Sequence, residues 1–216
     1  MEMTYGIDVS EHNGLIDWQM VKRSGIQFAF IRATCGLIVD KQYKRNAELA
    51  IMAGIETGTY GYYYPLLDPA AQAHLLCDTI LPYPHTILPA GDLEQPDSKY
   101  TRAQKLTRWN LYMDTLDARQ HARCWDYISA GFWLTNMTYG TYTKYTSTNE
   151  LKRMDAPLWE PAYRQGFPDP FFPRFRWDIQ QYTSNGYIPG ILTRVDLNRS
   201  FLTPKEICMK GRFSNA

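Results

Sequence analysis

Up to residue 129 the chain alternates short runs of β-branched and aromatic residues with longer stretches whose apolar residues recur at three- and four-residue steps. That alternation is the strongest constraint on the fold. Parallel strands cannot be joined by tight turns and need crossover connections, usually helices. Strands are expected over 5–9, 27–33, 56–62, 86–92 and 124–129. Between them, Asp17 is placed to cap a helix running to Ser24, with Gly25 as its stop, and a second helix fits 41–53 before Gly54. Asp68 caps a third helix reaching about residue 80. The clearest helix is 101–122, where Leu106, Trp109, Tyr112, Met113 and Leu116 share one face.

Beyond residue 129 the character changes. The stretch 131–147 is rich in Thr, Tyr and Gly, and 157–189 is dense in proline, leaving room only for short strands near 156–159, 177–181 and 188–196. No repeat or linker separates a second module. The reading is one α/β domain over 1–216: a shortened, irregular TIM-like (β/α) barrel, with about five βα units followed by helix-poor strands and no separate wall-binding module.

A chain of 216 residues is long enough to bury one sizeable core. Its formal net charge of +1 gives no electrostatic reason to expect nucleic acid or an anionic membrane as partner. No apolar run approaches the ~18–20 residues that span a bilayer, and the first residues lack a signal-peptide pattern, so synthesis in a cytoplasm is expected. Cys35, Cys77, Cys124 and Cys208 are scattered, which suggests reduced thiols and neither a disulfide framework nor a metal site. No cofactor is expected. The unusual quantity is aromatic content, 14%, with 16 Tyr and 6 Trp. These flat, polar-edged side chains suit carbohydrate clefts as well as cores.

Asp92-Leu93-Glu94 closes the apolar run 86–91. In an extended strand, residues two apart share a face about 6.5–7 Å from each other. Paired acids on one face repel, so one tends to keep its proton, an asymmetry that suits glycoside hydrolysis. Parallel barrels gather reactive groups at the C-terminal ends of their strands. Asp8 ends the first expected strand and Asp196 is expected to end the last. Barrel closure makes first and last strands neighbours, so four distant acids would share one mouth.

Several blocks resemble glycoside hydrolase family 25, the Chalaropsis-type lysozymes: Gly6-Ile7-Asp8-Val9-Ser10, Asp17-Trp18, Phe30-Ile31-Arg32-Ala33-Thr34, Asp92-Leu93-Glu94, Leu158-Trp159, Gln181-Tyr182-Thr183-Ser184 and Val195-Asp196-Leu197-Asn198. The resemblance spans about 5–198. It implies an N-acetylmuramidase that cleaves the β-1,4 bond of peptidoglycan, with Glu94 as general acid/base and Asp92 orienting the substrate's 2-acetamido group. Asp8 and Asp196 would complete the acidic site. Asp92 should stay ionised, with Arg32 as the nearby donor. Retention through the acetamido oxygen is implied, while direct attack by Asp92 stays open. Candidate substrate contacts are Tyr60, Tyr62, Arg32, Tyr127, Trp159 and Gln181.

The chain departs from the family pattern in two places. Gly61 stands where a His commonly follows the tyrosine, and Glu160 with Pro161 follows Trp159. Both would bear on subsite shape. The expected setting is a monomeric phage endolysin released by a holin and acting on the wall. A non-catalytic wall-binding barrel and a glycosidase for another 2-acetamido glycan such as chitin are the rival readings.

Overall fold

The computed structural model describes residues 2–137, 156–163 and 177–212. Its strands are β1 (Thr4–Val9), β2 (Phe28–Cys35), β3 (Ile38–Val39), β4 (Glu56–Tyr62), β5 (Ala90–Asp92), β6 (Trp125–Tyr127), β7 (Leu158–Pro161), β8 (Ile179–Gly186) and β9 (Val195–Ser200). The helices are α1 (Trp18–Arg23), α2 (Tyr43–Met52), α3 (Pro69–Ile80), α4 (Arg102–Gln120), a short turn α5 (Ala130–Phe132) and α6 (Pro204–Met209). Eight strands close in the order β1-β2-β4-β5-β6-β7-β8-β9, with β9 returning to β1, and β3 is a hairpin appended to β2. The TIM-like barrel expected from the alternation is therefore present.

Local capping chemistry sets the helices. Asp17, Asp68 and Thr101 each accept a backbone N–H of the first turn, and Gly25 and Gly54 follow α1 and α2 in left-handed conformations (φ 94° and 72°). The five apolar residues expected on one face of α4 are all buried.

Two apolar shells result. Outside the barrel, residues such as Val21, Ala47, Leu76 and Leu116 pack the helices onto the sheet. Inside it, Phe28, Phe30, Tyr60, Trp125, Tyr127 and Trp159 form a second cluster, closed at the bottom by Ile207 of α6. An eight-stranded barrel is just wide enough to be filled by side chains, so two strands give up theirs. A Cβ on Gly6 would stand 2.4 Å from the Phe28 ring, and one on Gly58 2.6 Å from that of Phe30. Phe30 then stacks on Trp159 at 4.4 Å.

Three expectations need correction. The fourth strand, expected over 86–92, shrinks to Ala90–Asp92. Pro89 has no N–H to give a ladder, and the amides of Thr86 and Ile87 are both spent on the Thr57 carbonyl. The last strand, expected over 188–196, begins only at Val195 and runs antiparallel to both neighbours. Asp196 consequently opens β9 and does not end it. Most of 131–147 and the prolines between 164 and 176 lie outside the described residues.

Candidate active site

Strand alternation decides which side chains reach the barrel mouth. On β1, Gly6 and then Asp8 point inward. The same alternation brings Arg32 to the top of β2, Tyr60 and Tyr62 on β4, Asp92 on β5, Tyr127 on β6 and Gln181 on β8. Because β9 descends, its first inward residue, Asp196, stands opposite Asp8 in register, and Asn198 follows one layer lower, opposite Gly6. Glu94 extends this line two residues past Asp92, at the rim and open to solvent. The four acids meet in one mouth, over a floor of Tyr60, Tyr127 and Trp159.

Their environments differ. Asp8 is buried, and its Oδ2 accepts from Gln181 Nε2 at 2.9 Å and from Asn198 Nδ2 at 2.7 Å. Burial and the neighbouring Asp196 nonetheless hold the Asp8 carboxyl well above the usual range, and the bond between the two acids raises Asp8 while lowering Asp196. Both carboxyls are raised by burial, Asp8 the more strongly because it lies deeper. Asp92 is raised strongly by burial, then by Glu94 and Asp8. Its Oδ1 is buried without a hydrogen-bond partner. Glu94 is raised by desolvation and by Asp196. Carboxyls brought together in one mouth disfavour one another's ionised forms, and the rise is strongest at the two deepest, Asp8 and Asp92.

Asp92 was expected to be held ionised with Arg32 as the nearby donor; its carboxyl is instead raised, and the guanidinium of Arg32 is engaged elsewhere. Arg32 Nε is paired with Asp40 at 2.8 Å and its other arm reaches Glu11 at 3.4 Å. Its field still opposes the rise at Asp92, but burial and two carboxylates outweigh it.

Among the expected sugar contacts, Tyr62 is half-buried at the rim, with its hydroxyl on Gln95. Tyr60 and Tyr127 are mostly buried. Trp159 is not at the surface: 1% of it is exposed, it packs against Phe30, Tyr60 and Tyr127, and its Nε1 donates to Asn198 Oδ1 at 2.7 Å. Gln181 is also buried. Its Oε1 accepts from the Tyr127 and Tyr163 hydroxyls, which turns its amide nitrogen toward Asp8. Trp159 and Gln181 therefore support the acids from below and are not free to grip a sugar.

Sequence reasoning gave no role to Asn198 or Tyr163, although the spacing Asp196-x-Asn198 on a strand places both side chains on one face. The two departures from the family pattern leave the mouth largely unchanged. A Cβ on Gly61 would meet the Tyr112 hydroxyl at 2.6 Å, so position 61 faces the helices. Glu160 alternates with Trp159, pairs in register with Gln180 and is buried on the barrel's outer side. Among the described residues, no group of three His, Cys, Asp or Glu side chains is arranged to hold a metal ion, and no helix is long and apolar enough to cross a membrane.

The sequence profile of Glycosyl hydrolases family 25 matches residues 7–191, which takes in Asp8, Asp92 and Glu94 but stops short of Asp196. Escherichia coli carries an uncharacterized relative, YegX, 30% identical over 200 residues, covering 90% of this chain and 68% of YegX. Lysozyme M1 of Streptomyces globisporus is 27% identical over 90% of this chain and 66% of its own length. The autolytic lysozyme of Clostridium acetobutylicum is 29% identical, and this chain spans 54% of it. In three dimensions, a bacterial lysozyme from Streptomyces coelicolor superposes with a TM-score of 0.78 at 25% identity, covering 95% of both chains.

Proposed function

The chain belongs to Glycosyl hydrolases family 25 and is a glycoside hydrolase of the lysozyme type acting on peptidoglycan; from that premise we propose an N-acetylmuramidase that cuts the β-1,4 bond after N-acetylmuramic acid with retention. The observation that carries the reading is the convergence of Asp8, Asp92, Glu94 and Asp196 above an aromatic floor, with unequal burial that raises their carboxyls to different degrees.

Glu94, whose carboxyl is raised and stands at the rim, gives its proton to the glycosidic oxygen as the bond to the anomeric carbon breaks. The acetamido oxygen of the same sugar closes onto that carbon, forming an oxazolinium ion. Asp92 Oδ1, buried and unpartnered, accepts the acetamido N–H and holds the group in line. Glu94 then takes a proton from water, the water attacks the anomeric carbon from the face the leaving group left, and the oxazolinium opens with net retention. Asp8 and Asp196, both raised and hydrogen-bonded to each other, limit the negative charge below this step.

Glu94→Gln tests the assignment. It should leave the thermal unfolding midpoint within a few degrees of wild type and cut turbidity clearance of walls by at least about a hundredfold, the scale of lost general-acid catalysis. Near-normal clearance would sink it. Reducing ends on N-acetylmuramic acid in the digest support the muramidase, and reducing N-acetylglucosamine counts against it. Release from inside a bacterium as a phage endolysin is the setting we favour. Lysis on expression only when a holin is co-expressed supports that setting, and lysis without one counts against it.

A further inference from the structure

Two loops on the mouth side of the barrel expose a contiguous apolar ledge. One is the β2–β3 hairpin, where Leu37, Ile38 and Val39 are 46%, 70% and 45% exposed. The other follows β4, with Tyr64, Leu66 and Leu67 at 39%, 56% and 37%. The loops meet at Gly36, where a Cβ would lie 2.8 Å from Leu67 and 3.0 Å from Tyr64, and Gly36 N donates to Tyr62 O. Isolated exposed leucines need no explanation, but a rimmed cluster of six large apolar residues does.

The β4 side of the ledge is also pinned in place. Buried Gln72 of α3 bonds both the amide and the carbonyl of Tyr64, and Arg108 of α4 donates to the carbonyls of Pro65 and Leu67. It is continuous with the acidic mouth. Tyr64 packs on Tyr62 with ring centroids 5.4 Å apart, and Tyr62 feels the charges of Glu94 and Asp92.

We propose that this ledge binds the stem peptide of the substrate, so that the enzyme prefers peptide-bearing glycan over bare glycan. The inference rests on the muramidase reading. In that substrate the peptide hangs from the lactyl group of the very sugar whose bond is cut, so it must leave the cleft within a sugar's width of Glu94. An extended stem of three to five residues reaches roughly 10–18 Å, enough to cross Tyr62 and Tyr64 onto Ile38 and Leu66. Its alanine methyl groups suit an apolar surface. Four acids beside the ledge disfavour a second copy of the same acidic mouth.

The test compares soluble glycan fragments carrying stems with the same fragments stripped by an amidase, scored by new muramic-acid reducing ends. Wild type should show kcat/KM at least about tenfold higher on the peptide-bearing fragments. The double variant Ile38→Ser/Leu66→Ser, with an unchanged unfolding midpoint, should lose that advantage and keep the stripped-glycan rate. Equal wild-type rates on both substrates would overturn the proposal, as would equal loss on both in the variant. Dimerisation or binding to anionic vesicles that the variant abolishes would give the ledge to another occupant and also overturn it. Wild type that releases no muramic reducing ends from either substrate refutes the muramidase reading itself, a separate failure.

Discussion

Asn198 is the residue on which the buried support of the acids turns, and Asn198→Leu removes that support at nearly constant volume. The side chain is fully buried. Its oxygen is the partner of the Trp159 indole N–H at 2.7 Å, and its amide nitrogen donates to Asp8 at 2.7 Å. Leucine replaces neither bond. The Trp159 N–H becomes a buried orphan, which costs about 1–3 kcal/mol, and Asp8 loses one of its two amide donors, about 1 kcal/mol more. The expected destabilisation is therefore about 2–4 kcal/mol, read as a shift of the urea midpoint at unchanged slope. A double-mutant cycle with Trp159→Phe isolates the indole share. Phenylalanine has no N–H to strand, so Asn198→Leu should cost about 1–3 kcal/mol less in that background. A single-variant cost under about 0.5 kcal/mol, the scale of an ordinary surface change, would refute the reasoning, as would a coupling indistinguishable from zero.

The pH dependence of stability has a definite sign. Asp8 and Asp92 are held above their ordinary value of 3.8, so the folded protein binds more protons than the unfolded chain in the window above that value. Their contribution is full below about 3.8 and is lost as pH rises through the raised values; thermal scans should show Asp92→Asn flattening that fall, and an unchanged slope would count against it. The raised carboxyl of Glu94 should set the alkaline limb of kcat/KM, with activity falling as the group deprotonates; a flat profile from pH 4 to 8 would contradict this. Gly6→Ala drives a methyl into the fully buried Phe28 ring at 2.4 Å and should cost about 1–3 kcal/mol in urea unfolding, whereas a neutral change would mean the inner shell is slack. Arg32→Met leaves Asp40 buried without its guanidinium and should cost about 3–5 kcal/mol, with Asp40→Asn in the same chain recovering part of it.

What could be read in the sequence was whatever short-range chemistry dictates. The caps Asp17 and Asp68 sit where their helices begin because a side-chain oxygen and a free amide three residues away define a helix start locally. The span Glu56–Tyr62 was legible for a similar reason, a β-rich run closed off by Gly54 before it. The D-x-E spacing and the terminal acids located the mouth because alternation and closure are properties of any small barrel. Strand direction was not legible, since β9 is reversed by its pairing with residues nearly the whole chain away. Arg32 was misjudged because its partner Asp40 is delivered by a hairpin that depends on Gly36 adopting φ 59°. Trp159 read as a sugar platform because composition cannot distinguish an aromatic that lines a cleft from one that fills a barrel's inside.

The reversal of β9 also governs how this enzyme can be joined to anything else. Thr4 and Ser200 are paired across β1 and β9 at the end of the barrel opposite the mouth, the Thr4 hydroxyl bonds the Leu202 carbonyl, and α6 seals that same end with Ile207. An all-parallel ring would have delivered its last strand to the mouth. Here the chain enters and leaves through the base, so cargo attached at either end hangs behind the catalytic face.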